Sequence, residues 1–111
     1  MTLELSHTYD IATIRLPSRL DTNTAPDAER DLTRFIAYTQ ENVLFDCSEM
    51  TYISSIGIRV LLICTKNLMK SGRKVSFCCL TAHVREVFTI GGFTKIFAIF
   101  DSPEKALESL K

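Results

Sequence analysis

At 111 residues, with 46% apolar and 23% charged residues, the chain is long and apolar enough for one domain with a real core, and disordered or low-complexity classes are excluded. Thirteen Lys and Arg balance thirteen Asp and Glu, which argues against a protein that coats nucleic acid. The balance conceals a split: residues 1–55 carry nine acids and four bases, residues 56–111 nine bases and four acids.

The chain opens with two period-two segments, Leu3-Glu4-Leu5-Ser6 and Ile11-Ala12-Thr13-Ile14-Arg15-Leu16, joined through Tyr9-Asp10. They predict a β-hairpin buried on one face. Pro17 and Ser18 end it. Asp21 and Thr22 then offer N-cap oxygens, and Pro26 suits an early helical position. Ala28, Leu32, Phe35, Ile36 and Thr39 recur at helical spacing, predicting an amphipathic helix over residues 24–40. Val43-Leu44-Phe45-Asp46-Cys47 is apolar without alternation, as in a central strand covered on both sides.

A polar stretch, Ser48-Glu49-Met50-Thr51, leads through Tyr52-Ile53 to Ser54-Ser55-Ile56-Gly57 and a predicted helix over residues 58–70, closed at Gly72. Residues 74–80 read as another buried strand. Thr81 is placed to cap a helix over residues 82–89, which Gly91-Gly92 breaks. A last strand is predicted over residues 95–100. Asp101-Ser102-Pro103-Glu104 starts a final helix reaching about Leu110. The order β-β-α-β-α-β-α-β-α predicts an α/β fold: a mixed, mainly parallel sheet with right-handed crossovers, an N-terminal antiparallel hairpin and about four helices, in one domain spanning residues 1–111.

Met1-Thr2-Leu3-Glu4-Leu5 has no basic n-region, and the apolar run at residues 60–64 falls far short of the ~20 residues of a membrane span. A cytoplasmic protein without a membrane partner is expected. The four cysteines, Cys47, Cys64, Cys78 and Cys79, form no C-x-x-C, and His7 and His83 have no metal-ligand spacing. They read as reduced, buried thiols with no metal or cofactor. On a regular strand Cys78 and Cys79 would point to opposite faces.

Two hydroxyls, Ser54 and Ser55, stand just before a helix, where unpaired N–H groups and the positive end of the dipole accommodate a phosphate. Two readings stay open: helix-capping serines, or a phosphate acceptor whose modification adds about −1.5 to −2 charges. On the helix that follows, Ile58, Leu61, Leu62, Thr65 and Met69 are predicted to face the sheet. Arg59, Lys66 and Lys70, with Arg73 just beyond, form a basic stripe, either solvated or a docking ridge for an acidic partner. No aromatic residues interleave with these bases, so nucleic-acid binding is not expected. The chain lacks G-x-S-x-G and a Walker A loop, and no enzymatic activity is expected.

The segment resembles the signature of the STAS domain family, the anti-sigma factor antagonists of bacterial partner switching. The family pattern D-x-S-x-x-x-x-[IM]-D-S-[ST]-G-[LI] is matched at Asp46, Ser48, Ile53, Ser55, Gly57 and Ile58. Leu20-Asp21 with Ala25 and Gly91-Gly92-Phe93-Thr94-Lys95-Ile96-Phe97 resemble two further family motifs. The resemblance implies a switch protein, monomeric when free. Unphosphorylated, such a protein binds a GHKL-type serine kinase that is itself the anti-sigma factor; phosphorylation releases it, and a PP2C-type phosphatase resets it. It also implies partner contacts at Asp21, Thr22, Asn23, Ser54, Ser55, Ile56 and Gly57, to which the basic stripe read as a docking ridge adds Arg59 and Lys66, with Ser55 as acceptor and Ser54 as the weaker candidate. Two positions depart from the pattern: Ser54 replaces its Asp, and Ile56 its second hydroxyl. The alternative is a constitutive STAS binding or scaffold protein that recruits a signalling partner or small ligand without being phosphorylated.

Overall fold

The computed structural model describes residues 3–8 and 10–111. Met1, Thr2 and Tyr9 lie outside the described residues, and with them half of the predicted turn. Strands β1 (Glu4–Thr8) and β2 (Ile11–Arg15) form the predicted antiparallel hairpin. Its turn residue Asp10 has φ +64°, a left-handed conformation that Asp tolerates better than most residues.

β2 pairs in parallel with β4 (Asn42–Asp46), β4 with β6 (Val75–Cys78), and β6 with β7 (Ile99–Phe100), giving the order β1-β2-β4-β6-β7. Two dipeptides, β3 (Arg19–Leu20) and β5 (Tyr52–Ile53), form a separate parallel pair that the sequence pattern does not reveal. Four helices are found among the described residues: α1 (Ala25–Tyr38), α2 (Ser55–Lys70), α3 (Ala82–Ile90) and α4 (Pro103–Ser109).

Successive strand residues point to opposite faces, and here both faces are covered. Val43 and Phe45 of β4 and Phe77 of β6 join the main core with Ala28 and Leu32 of α1, Leu61 and Leu68 of α2, and Val84 and Phe88 of α3. Leu44 and Cys78 face the other way, with Ile11, against Ala106 and Leu110 of α4. That division explains the unbroken apolar run of β4.

Several expectations change in physically instructive ways. The last strand is shorter than predicted. A single 3₁₀ turn at Phe93–Lys95 tucks Phe97 into the core, its ring centroid 4.6 Å from Phe77 and 5.4 Å from Phe88. Burying that ring outweighs continued pairing, so regular strand begins only at Ile99. Thr81 does not cap α3 with its side chain; its hydroxyl donates to the Met50 carbonyl at 2.7 Å and ties α3 to the loop after β4. Met69 is exposed, and Val60, Cys64 and Leu68 are buried instead, so the inward face of α2 is rotated from the predicted one.

Arg73 does not extend the basic stripe. The N–H of Gly72 (φ +81°) donates to the Met69 carbonyl and that of Arg73 to Leu68, a Schellman closure that turns the chain inward. The buried Arg73 guanidinium then donates to the carbonyls of Glu41 (2.6 Å) and Ile36 (3.2 Å) and to the Thr39 hydroxyl (2.7 Å). It is a bracket between the end of α1 and β4.

Candidate functional site

The site forms where the small β3–β5 pair meets the start of α2. Because β3 and β5 run parallel, with Leu20 opposite Ile53, the segments that follow them leave at the same end. The 21–23 turn and the 54–57 segment are therefore neighbours, joined by a 2.9 Å hydrogen bond from the Ser54 N–H to the Leu20 carbonyl.

The two serines have different roles. Ser54 is the N-cap of α2: its backbone is extended, its Oγ accepts from the Gly57 N–H at 3.3 Å, and its carbonyl accepts from the Ile58 N–H at 2.9 Å. Ser55 is the first helical residue and is exposed. Among the described residues none hydrogen-bonds to its hydroxyl. The helix thus begins three residues before the predicted Ile58, because capping by Ser54 lets the non-periodic Ser-Ile-Gly segment form its first turn.

Gly57 is buried, so it shapes the site rather than presenting a surface. A Cβ there would lie 2.4 Å from the Leu20 carbonyl oxygen and 2.9 Å from Ile53 Cγ1. Only glycine lets the first turn of α2 sit this close to the β3–β5 pair.

The neighbouring turn is built on Asp21. Its carboxylate accepts from the Asn23 N–H (3.0 Å), the Thr24 N–H (3.1 Å) and Arg19 Nε (3.2 Å). Partial burial alone would raise its pKa, but these hydrogen bonds and the Arg19 charge prevail and lower it. Asp21 therefore closes a turn before α1 and is not its N-cap. That position belongs to Thr24, whose side chain makes no capping bond. Thr22 and Asn23 are left exposed beside the serines.

At about 100° per residue, Ile56, Arg59, Ile63, Lys66 and Lys70 fall within an arc of ~80° on α2, with Ser55 at its margin. All are exposed, Ile56 at 44% and Ile63 at 47%. The axial rise puts Arg59 about 6 Å and Lys66 about 16 Å from Ser55 along the helix. The basic stripe thus carries two exposed isoleucines, an arrangement suited to docking. Sequence reasoning identified the bases but not Ile63, whose exposure follows from the rotated packing face.

It also missed a stack on the β3–β5 pair. The Arg19 guanidinium lies 4.5 Å above the Tyr52 ring, and His83 stacks on Tyr52 with ring centroids 6.0 Å apart. These residues come from β3, β5 and α3, too far apart in sequence for any spacing rule to join them.

A cavity of about 460 Å³ lies away from the serines, between α2, β6, β7 and α4. No helix among the described residues is long and apolar enough to cross a membrane.

The family model for the STAS domain matches residues 2–106. A protein of Bordetella bronchiseptica assigned as anti-sigma factor antagonist BtrV is 37% identical over 87 residues, covering 78% of this chain and 75% of that protein. The structure of an anti-sigma factor antagonist from Mycobacterium paratuberculosis superposes with a TM-score of 0.88 at 18% identity, covering 98% of this chain and 92% of the other. The Bacillus cell fate determinant SpoIIAA in its phosphorylated form gives 0.73 at 17% identity, covering 99% of this chain and all of that one.

Proposed function

The chain belongs to the STAS domain family, and from that premise we propose that it is a one-domain anti-sigma factor antagonist switched by phosphorylation of Ser55. The observation that carries the proposal is the division of labour between the serines. Ser54 is committed to the helix cap, while Ser55 is exposed, and none of the described residues hydrogen-bonds to its hydroxyl.

In this reading the unphosphorylated chain docks on a GHKL-type serine kinase that acts as the anti-sigma factor. The contact surface comprises Thr22, Asn23, Ser55, Ile56, Arg59 and Lys66, with Ile63 between the two bases. Asp21 holds the neighbouring turn, and Gly57 seats the helix start. The kinase transfers the γ-phosphoryl group of ATP to Ser55 Oγ, which loses its proton, and ADP leaves. The new phosphate sits at the positive end of α2, so the fold tolerates it. Its roughly two negative charges lie on the docking surface, where desolvating them weakens the complex. A PP2C-type phosphatase hydrolyses the ester and restores binding.

The missing family acid at residue 54 does not disturb the helix start, because the Ser54 hydroxyl caps it. The exposed Ile56 and Ile63 also suit a constitutive binder, which would hold its partner without being modified. Incubation with a GHKL-type kinase of the same genome and ATP, followed by phosphopeptide mapping, separates the two. Modification at Ser55 is expected. Stable binding with no modification at Ser54 or Ser55 would establish the constitutive reading instead.

A further inference from the structure

On the opposite face of the sheet, under α4, three potential donor atoms converge. The Cys78 and Cys79 sulfurs and an Asp46 carboxylate oxygen all lie within 4.8 Å of one another. The parallel register sets Asp46 beside Cys78. Cys79 should point away from both, but β6 ends at Cys78 and Cys79 has φ +64°. That left-handed conformation is uncommon for a residue with a Cβ. It turns the second sulfur to the side of the first. Backbone bonds hold the bend: the Cys47 N–H donates to the Cys78 carbonyl at 3.0 Å, and the Cys79 N–H to the Phe100 carbonyl at 3.2 Å.

We propose that Asp46, Cys78 and Cys79 form a binding site for one thiophilic divalent cation of the zinc type. Two thiolates and a carboxylate are a donor set that zinc takes in tetrahedral geometry, with water completing the shell. Donors about 2.0–2.3 Å from such an ion stand roughly 3.3–3.8 Å apart, so small side-chain rotations close the site. The carboxylate is already oriented, with the Ser48 N–H donating to Oδ1 at 3.0 Å and Arg15 Nε 3.7 Å from Oδ2. Cys78 is buried, whereas Cys79 and Asp46 are only partly so, and they leave a path to the ion.

Binding of a divalent cation by these donors displaces both thiol protons. Two metal–sulfur bonds form, two protons go to solvent, and no electrons move.

The test is titration of the reduced chain with Cd²⁺ under argon, following the thiolate-to-metal charge-transfer absorbance. One equivalent should saturate the band, release two protons, and raise the thermal midpoint in proportion to the logarithm of free metal. Cys79→Ser, with its fold checked by circular dichroism, should bind at least about ten-fold more weakly, with a smaller band. Cys64→Ala should change neither. In the unaltered chain Zn²⁺ should protect Cys79 from alkylation, which tests the site without a variant. No charge-transfer band in the folded, reduced chain, an undiminished band in folded Cys79→Ser, or unprotected Cys79 at saturating Zn²⁺ would each overturn the proposal.

Discussion

At the residue scale the two adjacent serines make opposite predictions. Ser54→Ala removes the hydroxyl that accepts from the Gly57 N–H and should destabilise the fold by about 1 kcal/mol. Ser55→Ala removes a hydroxyl outside the cap and should stay within about 0.5 kcal/mol of the parent. Urea denaturation of the pair checks this, and reversed magnitudes would mean that the serines have exchanged roles. Gly57→Ala drives a Cβ against the Leu20 backbone oxygen. A cost of about 1–3 kcal/mol is expected, together with weaker partner binding, because the first turn of α2 must move. Asp21 supplies a pH signature. Its folded pKa lies below the ordinary value of 3.8, so its contribution is present above that value and is lost as pH falls through the lower folded one. Denaturation curves from about pH 5 to about pH 2 should show a shallower acid loss for Asp21→Asn than for the parent.

At the element scale α2 carries the candidate site, and Arg73 anchors the turn that follows it. Arg73→Met keeps much of the apolar stem but leaves the Ile36 and Glu41 carbonyls without the guanidinium they accept from. A loss of about 2–3 kcal/mol is expected from chemical denaturation, with partner affinity unchanged, since Arg73 is buried. The main elements were legible in the sequence because each follows from local chemistry: the alternation of Ile11 to Leu16, the apolar run of β4, the glycine ending α2. What was hidden depends on distant partners. Arg73 reads as one more base on a stripe until the carbonyls near the end of α1 are in view. The β3–β5 pair is two residues a side, too short for any period. The choice between Ser54 and Ser55 turns on which hydroxyl meets the Gly57 N–H, and adjacency alone does not say. Cys78 and Cys79 break the rule of alternating faces because the strand ends between them.

Across the whole molecule, the zero net charge resolves into a local arrangement. Arg59, Lys66 and Lys70 lie on one exposed arc of α2 and Ser55 at its margin, so phosphate on Ser55 offsets positive charge where the partner is proposed to dock. Steering of this kind acts mainly on the association rate and is screened beyond about 8 Å at physiological ionic strength. Added salt should therefore slow association of the unphosphorylated chain with the proposed kinase, and a double charge reversal, Arg59→Glu with Lys66→Glu, should slow it at constant salt. Stopped-flow mixing reads both effects.

The central claim is tested most directly by calorimetric titration of the kinase with the unphosphorylated chain and with the chain stoichiometrically phosphorylated at Ser55. The account predicts tight binding of the first and at least about a ten-fold loss for the second, or roughly 1.4 kcal/mol. Equal affinities for the two forms would contradict it.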